Sequence, residues 1–338
     1  MARKLKITIS EVQAGRTAGW VMEHCFHMSR RERGRAKFQE DGILVNGARC
    51  RVTQVLAKGD CLEVSGEKPD RTSYEEDCRS VFTYIKPEIC YEDQDVLVVN
   101  KPAGVLMHPV GCHQGDTLAD QLREYLGRQG IPQIPRSIGR LDKETSGAVV
   151  FAKNQMAAAR LQRQRQQGIF RKEYLALAEG IFKEKRQTVR LAMSNAAKEG
   201  MRERMKISSQ GMEAVTHYEV LGDGRDCSLL HLWLETGRTH QIRVHMAALG
   251  HPLLGDTIYG REEPAAPYRA ALHAAQVTFL KPFGNEKLSF YIPLPEDLRQ
   301  VLRSSVKEIQ YETRSKTNEP GGYAGADQKD DSLQNLFY

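Results

Sequence analysis

The run Ala148-Val149-Val150-Phe151-Ala152 carries no charge and reads as a buried strand. It is entered directly from Gly139-Arg140-Leu141-Asp142-Lys143-Glu144-Thr145-Ser146-Gly147. A carboxylate at the mouth of a buried strand loses hydration, so Asp142 needs either a partner or a chemical use. The neighbouring strands must then cover this one. Residues 96–99 form another short apolar run, and 170–178, 216–220 and 229–234 alternate in the manner of strands. Most connections between them are too short for repeated crossover helices. The pattern predicts an α+β fold with a mainly antiparallel mixed sheet, not a doubly wound parallel one.

Helices fit between these runs. Leu118, Leu122 and Leu126 share a face, with Thr117 and Asp120 at the start of their helix. A second helix is expected between the capping candidate Asn154 and Gly168. It carries Arg160, Arg163 and Arg165 and no acidic residue, which suits either a nucleic-acid-facing surface or a solvated one. A short helix over 239–249 turns Ile242, Met246 and Leu249 inward and places Arg243 about 100° round from Ile242.

The chain has 338 residues, 40% of them hydrophobic, enough for one large domain and a small one. No apolar run approaches the roughly 18–20 residues that span a bilayer, and the basic start is not a secretory signal, so the cytoplasm is the expected compartment. Seven cysteines without a Cys-x-x-Cys pair argue against a zinc ribbon or a disulfide framework. The net charge is +6, and residues 1–66 hold 12 Lys/Arg against 7 Asp/Glu, a balance of +5. That excess favours a polyanionic partner. The expected organisation is a small basic domain over 1–66, a polar linker over 67–80, a large domain over 81–305 and a disordered tail over 306–338.

In the small domain, Asp41-Gly42 and Asn46-Gly47 bracket a β-branched stretch, and Lys58-Gly59-Asp60 leads into Cys61-Leu62-Glu63-Val64. With the basic run Arg30, Arg31, Arg33, Arg35 and Lys37 ahead of it, this segment resembles the S-four-type RNA-binding domain. The resemblance makes those five residues candidate phosphate contacts, which orient a nucleic acid without reading its sequence.

In the large domain, four segments occur in the order of the RluA-type pseudouridine synthases. They are Asn100-Lys101-Pro102-Ala103-Gly104, the Asp142 segment, Lys172-Glu173-Tyr174, and Gly237-Arg238-Thr239-His240-Gln241-Ile242-Arg243-Val244-His245, which runs on to Gly255-Asp256. The resemblance implies that Asp142 is the nucleophile, that Arg243 pairs with it, and that Tyr174 stacks on the target base. It implies that Arg140 enters the space left by an extruded nucleotide, and it adds Thr145, Arg238 and His240 as substrate contacts. One departure is plain: family members commonly have His where this chain has Gly139.

Such an enzyme breaks the glycosidic bond of uridine, turns the uracil and rejoins it through a ring carbon. No electrons are exchanged and no group is lost, so neither cofactor nor metal is implied. The implied partner is structured RNA, ribosomal RNA first and transfer RNA within the family's range, with no membrane. Two alternatives differ in class. One is an inactive RNA-binding or ribosome-assembly factor on the same fold, against which intact Asp142, Tyr174 and Arg243 argue. The other is a metal-dependent nuclease, for which His240, His245 and His251 are spaced by five and six residues and fit poorly.

Overall fold

The structure is a computed structural model that describes residues 4–28, 30–38, 41–65, 84–110, 115–131, 134–196, 204–261 and 267–305. The expected linker over 67–80 and the expected tail over 306–338 lie outside the described residues.

The amino-terminal part contains β1 (Lys4–Thr8), α1 (Ala18–His24), α2 (Arg30–Phe38), β2 (Ile43–Val45), β3 (Ala48–Arg49) and β4 (Cys61–Ser65). Its sheet has the order β1-β4-β2-β3 with every pair antiparallel. Asn46 and Gly47 have positive φ (52° and 81°), so the Asn-Gly turn closes the β2–β3 hairpin as expected. Leu5, Val21, Met22, Ile43, Leu62 and Val64 form its core.

The remainder contains β5 (Glu88–Glu92), β6 (Val96–Lys101), α3 (Leu118–Arg128), β7 (Arg136–Ser137), β8 (Ser146–Ala152), α4 (Gln155–Gln166) and β9 (Arg171–Glu179). After these come β10 (Arg186–Arg190), β11 (Met193–Asn195), β12 (Met205–Ile207), β13 (Val215–Asp223), β14 (Cys227–Leu234) and α5 (Gln241–Ala248). The last elements are β15 (Leu272–Leu280), β16 (Lys287–Tyr291) and α6 (Glu296–Ser305). Ten strands form one sheet in the order β10-β13-β14-β9-β15-β8-β6-β5, with β16 on β15 and β7 on β8. Every pair is antiparallel except β15 with β8. The mainly antiparallel mixed α+β architecture expected from the short connections is therefore what forms.

The helix signals reflect real caps. Thr117 and Asp120 form a reciprocal capping box at α3. Asn154 Oδ1 accepts from the Ala157 N–H at 2.8 Å at the start of α4. The parallel pair joins His273 to Ser146 and Ala274 to Gly147. Gly147 has φ +108°, and a methyl there would overlap the Ala274 carbonyl, so only glycine lets the two strands meet.

Helix α4 also ties the two parts together. Met156 joins the core of the amino-terminal part, whereas Ala157 and Leu161 pack into a core cluster of the remainder. Arg160 donates to the Pro282 carbonyl at 3.0 Å and to the Phe26 carbonyl, and lies over the Phe283 ring.

Candidate active site

Asp142 lies in the loop between β7 and β8, half-buried. Its carbonyl accepts from the Thr145 N–H at 3.2 Å, closing a tight turn. The loop is held from beneath by two buried cations. Lys101, the lysine of the Asn-Lys-Pro-Ala-Gly turn, is 0% exposed and donates through Nζ to the carbonyls of Pro102 (2.9 Å), Lys143 (3.0 Å) and Thr145 (2.8 Å). Arg269 donates to the Glu144 carbonyl at 3.0 Å and forms an ion pair with Asp297. Three successive loop carbonyls are thus turned onto positive charge.

Burial lowers the Lys101 ammonium to about 7, the negative charge of Asp142 opposes that shift, and Arg269 adds to it. Lys101 was part of a motif legible in the sequence, but its role under the loop was not. Residues 101 and 143–145 are far apart in the chain, and only the β6–β8 pairing brings them together.

Tyr174 reaches the same place through strand register. It pairs with Ala274 across β9–β15, and Ala274 pairs with Gly147 across β15–β8. The ring is buried in the large core. Burial, then the charge of Asp142, drive its phenol well above the usual tyrosine value, with Arg165 acting in the opposite sense. The phenol is therefore held in its neutral form.

Arg243 corrects one expectation. Its carboxylate partner is Asp256, not Asp142: Nε donates to Oδ2 at 2.8 Å and Nη2 to Oδ1 at 2.7 Å, a bidentate pair. Asp256 is 1% exposed and also accepts from the backbone of Ile258 (2.9 Å) and Tyr259 (3.1 Å). Glu144 stands 3.7 Å from Arg243 Nη2. Burial opposes the guanidinium's charge, but Asp256, then Asp142 and Glu144, more than offset it and hold the group charged. Arg243 therefore acts on Asp142 through space. The physical reason is local: a buried guanidinium needs its own fixed counter-ion, and the Gly255-Asp256 turn supplies one with both oxygens correctly placed.

The other expected residues divide by role. Arg140 is exposed on the rim, with Nη2 bonded to Thr239 Oγ1. Thr145 is 2% exposed and contributes its carbonyl to Lys101. Arg238 is half-buried and donates to the Glu213 carbonyl at 3.0 Å. His240, in left-handed conformation (φ 54°) at the start of α5, shares a hydrogen bond of 2.9 Å with the Tyr259 hydroxyl. Tyr259 lies 5.4 Å under the Arg243 guanidinium and was not foreseen. His245 and His251 are bonded to the carbonyls of Leu191 (3.0 Å) and Glu179 (2.7 Å). Among the described residues no His, Cys, Asp and Glu cluster could hold a metal.

In the small domain, Arg30 and Lys37 are exposed on α2, and Arg33 is paired with Glu23. The side chains of Arg31 and Arg35 lie outside the described residues.

The fold and this acid-bearing loop define a class: a family profile described as RNA pseudouridylate synthase matches residues 95–248. An uncharacterized RNA pseudouridine synthase of Bacillus subtilis, YhcT, is 33% identical over 310 residues, covering 89% of this chain and 97% of the relative. Ribosomal large subunit pseudouridine synthase D of Haemophilus influenzae is 34% identical over 321 residues, covering 89% and 94%. Among solved structures, human RNA pseudouridylate synthase domain containing 1 superposes with a TM-score of 0.56 at 31% identity, covering 69% of this chain and 93% of that one. The chain belongs to the RluA-type RNA pseudouridine synthase family.

Proposed function

We propose that this enzyme isomerises uridines of structured ribosomal RNA, with Asp142 as the nucleophile. One observation carries the reading. Asp142 is the carboxylate whose charge acts on Lys101, Tyr174 and Arg243 together, although those residues come from four separate sequence segments when Asp142's own is counted. Such convergence on a half-buried acid marks a reactive site more than a structural one.

The chemistry follows from the balance of bonds. The C1′–N1 bond breaks and a C1′–C5 bond forms, C5 loses a proton and N1 gains one. An anionic carboxylate can attack the sugar or the pyrimidine ring. The neutral Tyr174 ring offers a face for the detached uracil and an O–H at its edge. Reaching the loop requires the uridine to leave its stack, an unstacking cost of a few kcal/mol that Arg140 offsets from the rim.

The ribosomal substrate rests on the relatives named as large subunit pseudouridine synthases. The basic amino-terminal part, with Arg30 and Lys37 exposed on α2, is the S-four-type docking module of this reading. No described helix is long and apolar enough to cross a membrane.

The test is Asp142→Asn, an isosteric change that removes the nucleophile. Pseudouridine formation on ribosomal RNA is expected to vanish while RNA affinity stays within a few-fold. Normal product formation by this variant would remove Asp142 from the role.

A further inference from the structure

The three arginines of α4 have separate fates. Arg160 is spent on the contact between the two parts of the molecule. Arg163 lies close enough to His27 to lower that ring's affinity for a proton, second to burial. Arg165 is different. It is exposed, and among the described residues its side chain makes neither a hydrogen bond nor an ion pair, yet its guanidinium is closely seated.

The seat is made by two glycines. A methyl on Gly139 would meet Arg165 Nη1 at 3.4 Å, Cζ at 3.5 Å and Nε at 3.8 Å. A methyl on Gly237 would overlap Nη2, and nothing but the Arg165 guanidinium lies within 4 Å of that point. Gly139 precedes Arg140 and the Asp142 turn, and Gly237 precedes Arg238 and Thr239. The guanidinium therefore rests on the two segments that form the rim of the candidate site, beside the Arg140–Thr239 contact.

Lys172, two residues before Tyr174 on β9, has a solvent-shielded Nζ without a hydrogen-bond partner among the described residues. Burial, and then the neighbouring charge of Arg165, lower it to about 7. The Arg165 guanidinium, without an ion-pair partner among the described residues, favours an incoming anion, and on an RNA enzyme the available anion is backbone phosphate.

We propose that Arg165, seated over Gly139 and Gly237, is a substrate-binding residue that grips a backbone phosphate of the RNA at the entrance to the Asp142 site. The proposal rests on the reading of that site given above. The two glycines differ in what they allow: a methyl at 139 would stand at ordinary contact distance from the guanidinium, whereas one at 237 would overlap it.

The test uses the full-length protein and a uridine-bearing RNA stem-loop as the binding probe. Arg165→Met keeps the length and removes the charge. It should weaken affinity on the order of tenfold and make the dependence of log affinity on log salt shallower by about 0.7–0.9, the share of one phosphate contact. Arg165→Lys should recover the salt slope. Gly237→Ala meets only the far end of a flexible side chain, so it should displace the guanidinium and reproduce the loss. The Arg165→Met, Gly237→Ala double variant should then bind no more weakly than either single one. Unchanged affinity and slope in Arg165→Met, or losses that add in the double variant, would overturn the proposal. Asp142→Asn, measured in parallel for pseudouridine formation, reports on the site reading independently of these binding results.

Discussion

At the scale of single residues, the site combines buried ion pairs with charges that have no fixed partner among the described residues. Arg243 with Asp256 is the clearest pair. Removing Asp256 leaves a guanidinium that is 2% exposed facing only Glu144 at 3.7 Å. Breaking a buried pair in this way typically costs about 3–5 kcal/mol. Asp256→Ala is accordingly expected to lower stability by that order in denaturant titration, and Asp142→Asn by far less, because no buried cation depends on Asp142 alone. Lys172 provides a pH signature. Its folded value of about 7 lies below the ordinary 10.5, so between those values the unfolded chain holds a proton that the folded chain has lost. Stability therefore gains a contribution as pH rises from about 7 towards 10.5, and none as pH changes below 7. Lys101, also lowered to about 7, adds a contribution in the same window, so Lys172→Met should make the rise shallower without abolishing it, which thermal melts across the window would reveal. Asp142, Tyr174 and Arg243 could be singled out in the sequence because each lies in a local segment that carries the family resemblance. The partner of Arg243 was not, because which of several carboxylates closes on a guanidinium is decided by the turn at 255–256 and not by spacing.

At the scale of elements, the legible features were those whose cause is short-range. The α3 capping box, the Asn154 cap of α4 and the apolar run of β8 are each settled within a few residues. Strand β15 was not foreseen, although it is central to the sheet. Its sequence, Leu272-His273-Ala274-Ala275-Gln276-Val277, breaks the apolar pattern with polar residues. His273 is nonetheless 1% exposed, because Ser146 Oγ (2.9 Å) and the Ile292 carbonyl (3.0 Å) satisfy both ring nitrogens. Periodicity cannot anticipate a polar group whose partners arrive from 127 and 19 residues away. The junction of β15 with β8 makes a demand on one position. Gly147→Ala would combine a left-handed backbone with overlap onto the Ala274 carbonyl. A loss of at least about 1–3 kcal/mol is expected from the backbone alone. A melting temperature unchanged from the parent would show that the two strands can separate at Gly147 without consequence. Because the same junction carries the register from Gly147 to Tyr174, pseudouridine formation should fall with it.

At the scale of the whole molecule, the proposed RNA contacts fall on two surfaces, the basic residues of α2 and the Asp142 rim, and α4 touches both parts of the molecule through Met156, Leu161 and Arg160. Two weak RNA contacts in fixed relation bind together far more tightly than either alone, since engagement of one sets a high effective concentration for the other. Arg160 is the residue best placed to fix that relation, because its planar fork reaches carbonyls on both sides, Phe26 and Pro282, while its face covers Phe283. Arg160→Lys keeps the charge but cannot make both bonds and the stacking contact at once. Net charge is unchanged, so a simple electrostatic account predicts no effect on RNA binding. If the helix sets the geometry, affinity for long structured ribosomal RNA should fall several-fold or more, while affinity for a stem-loop too short to reach both surfaces should hold. Equal behaviour on the long and short RNAs would show that the two parts bind independently.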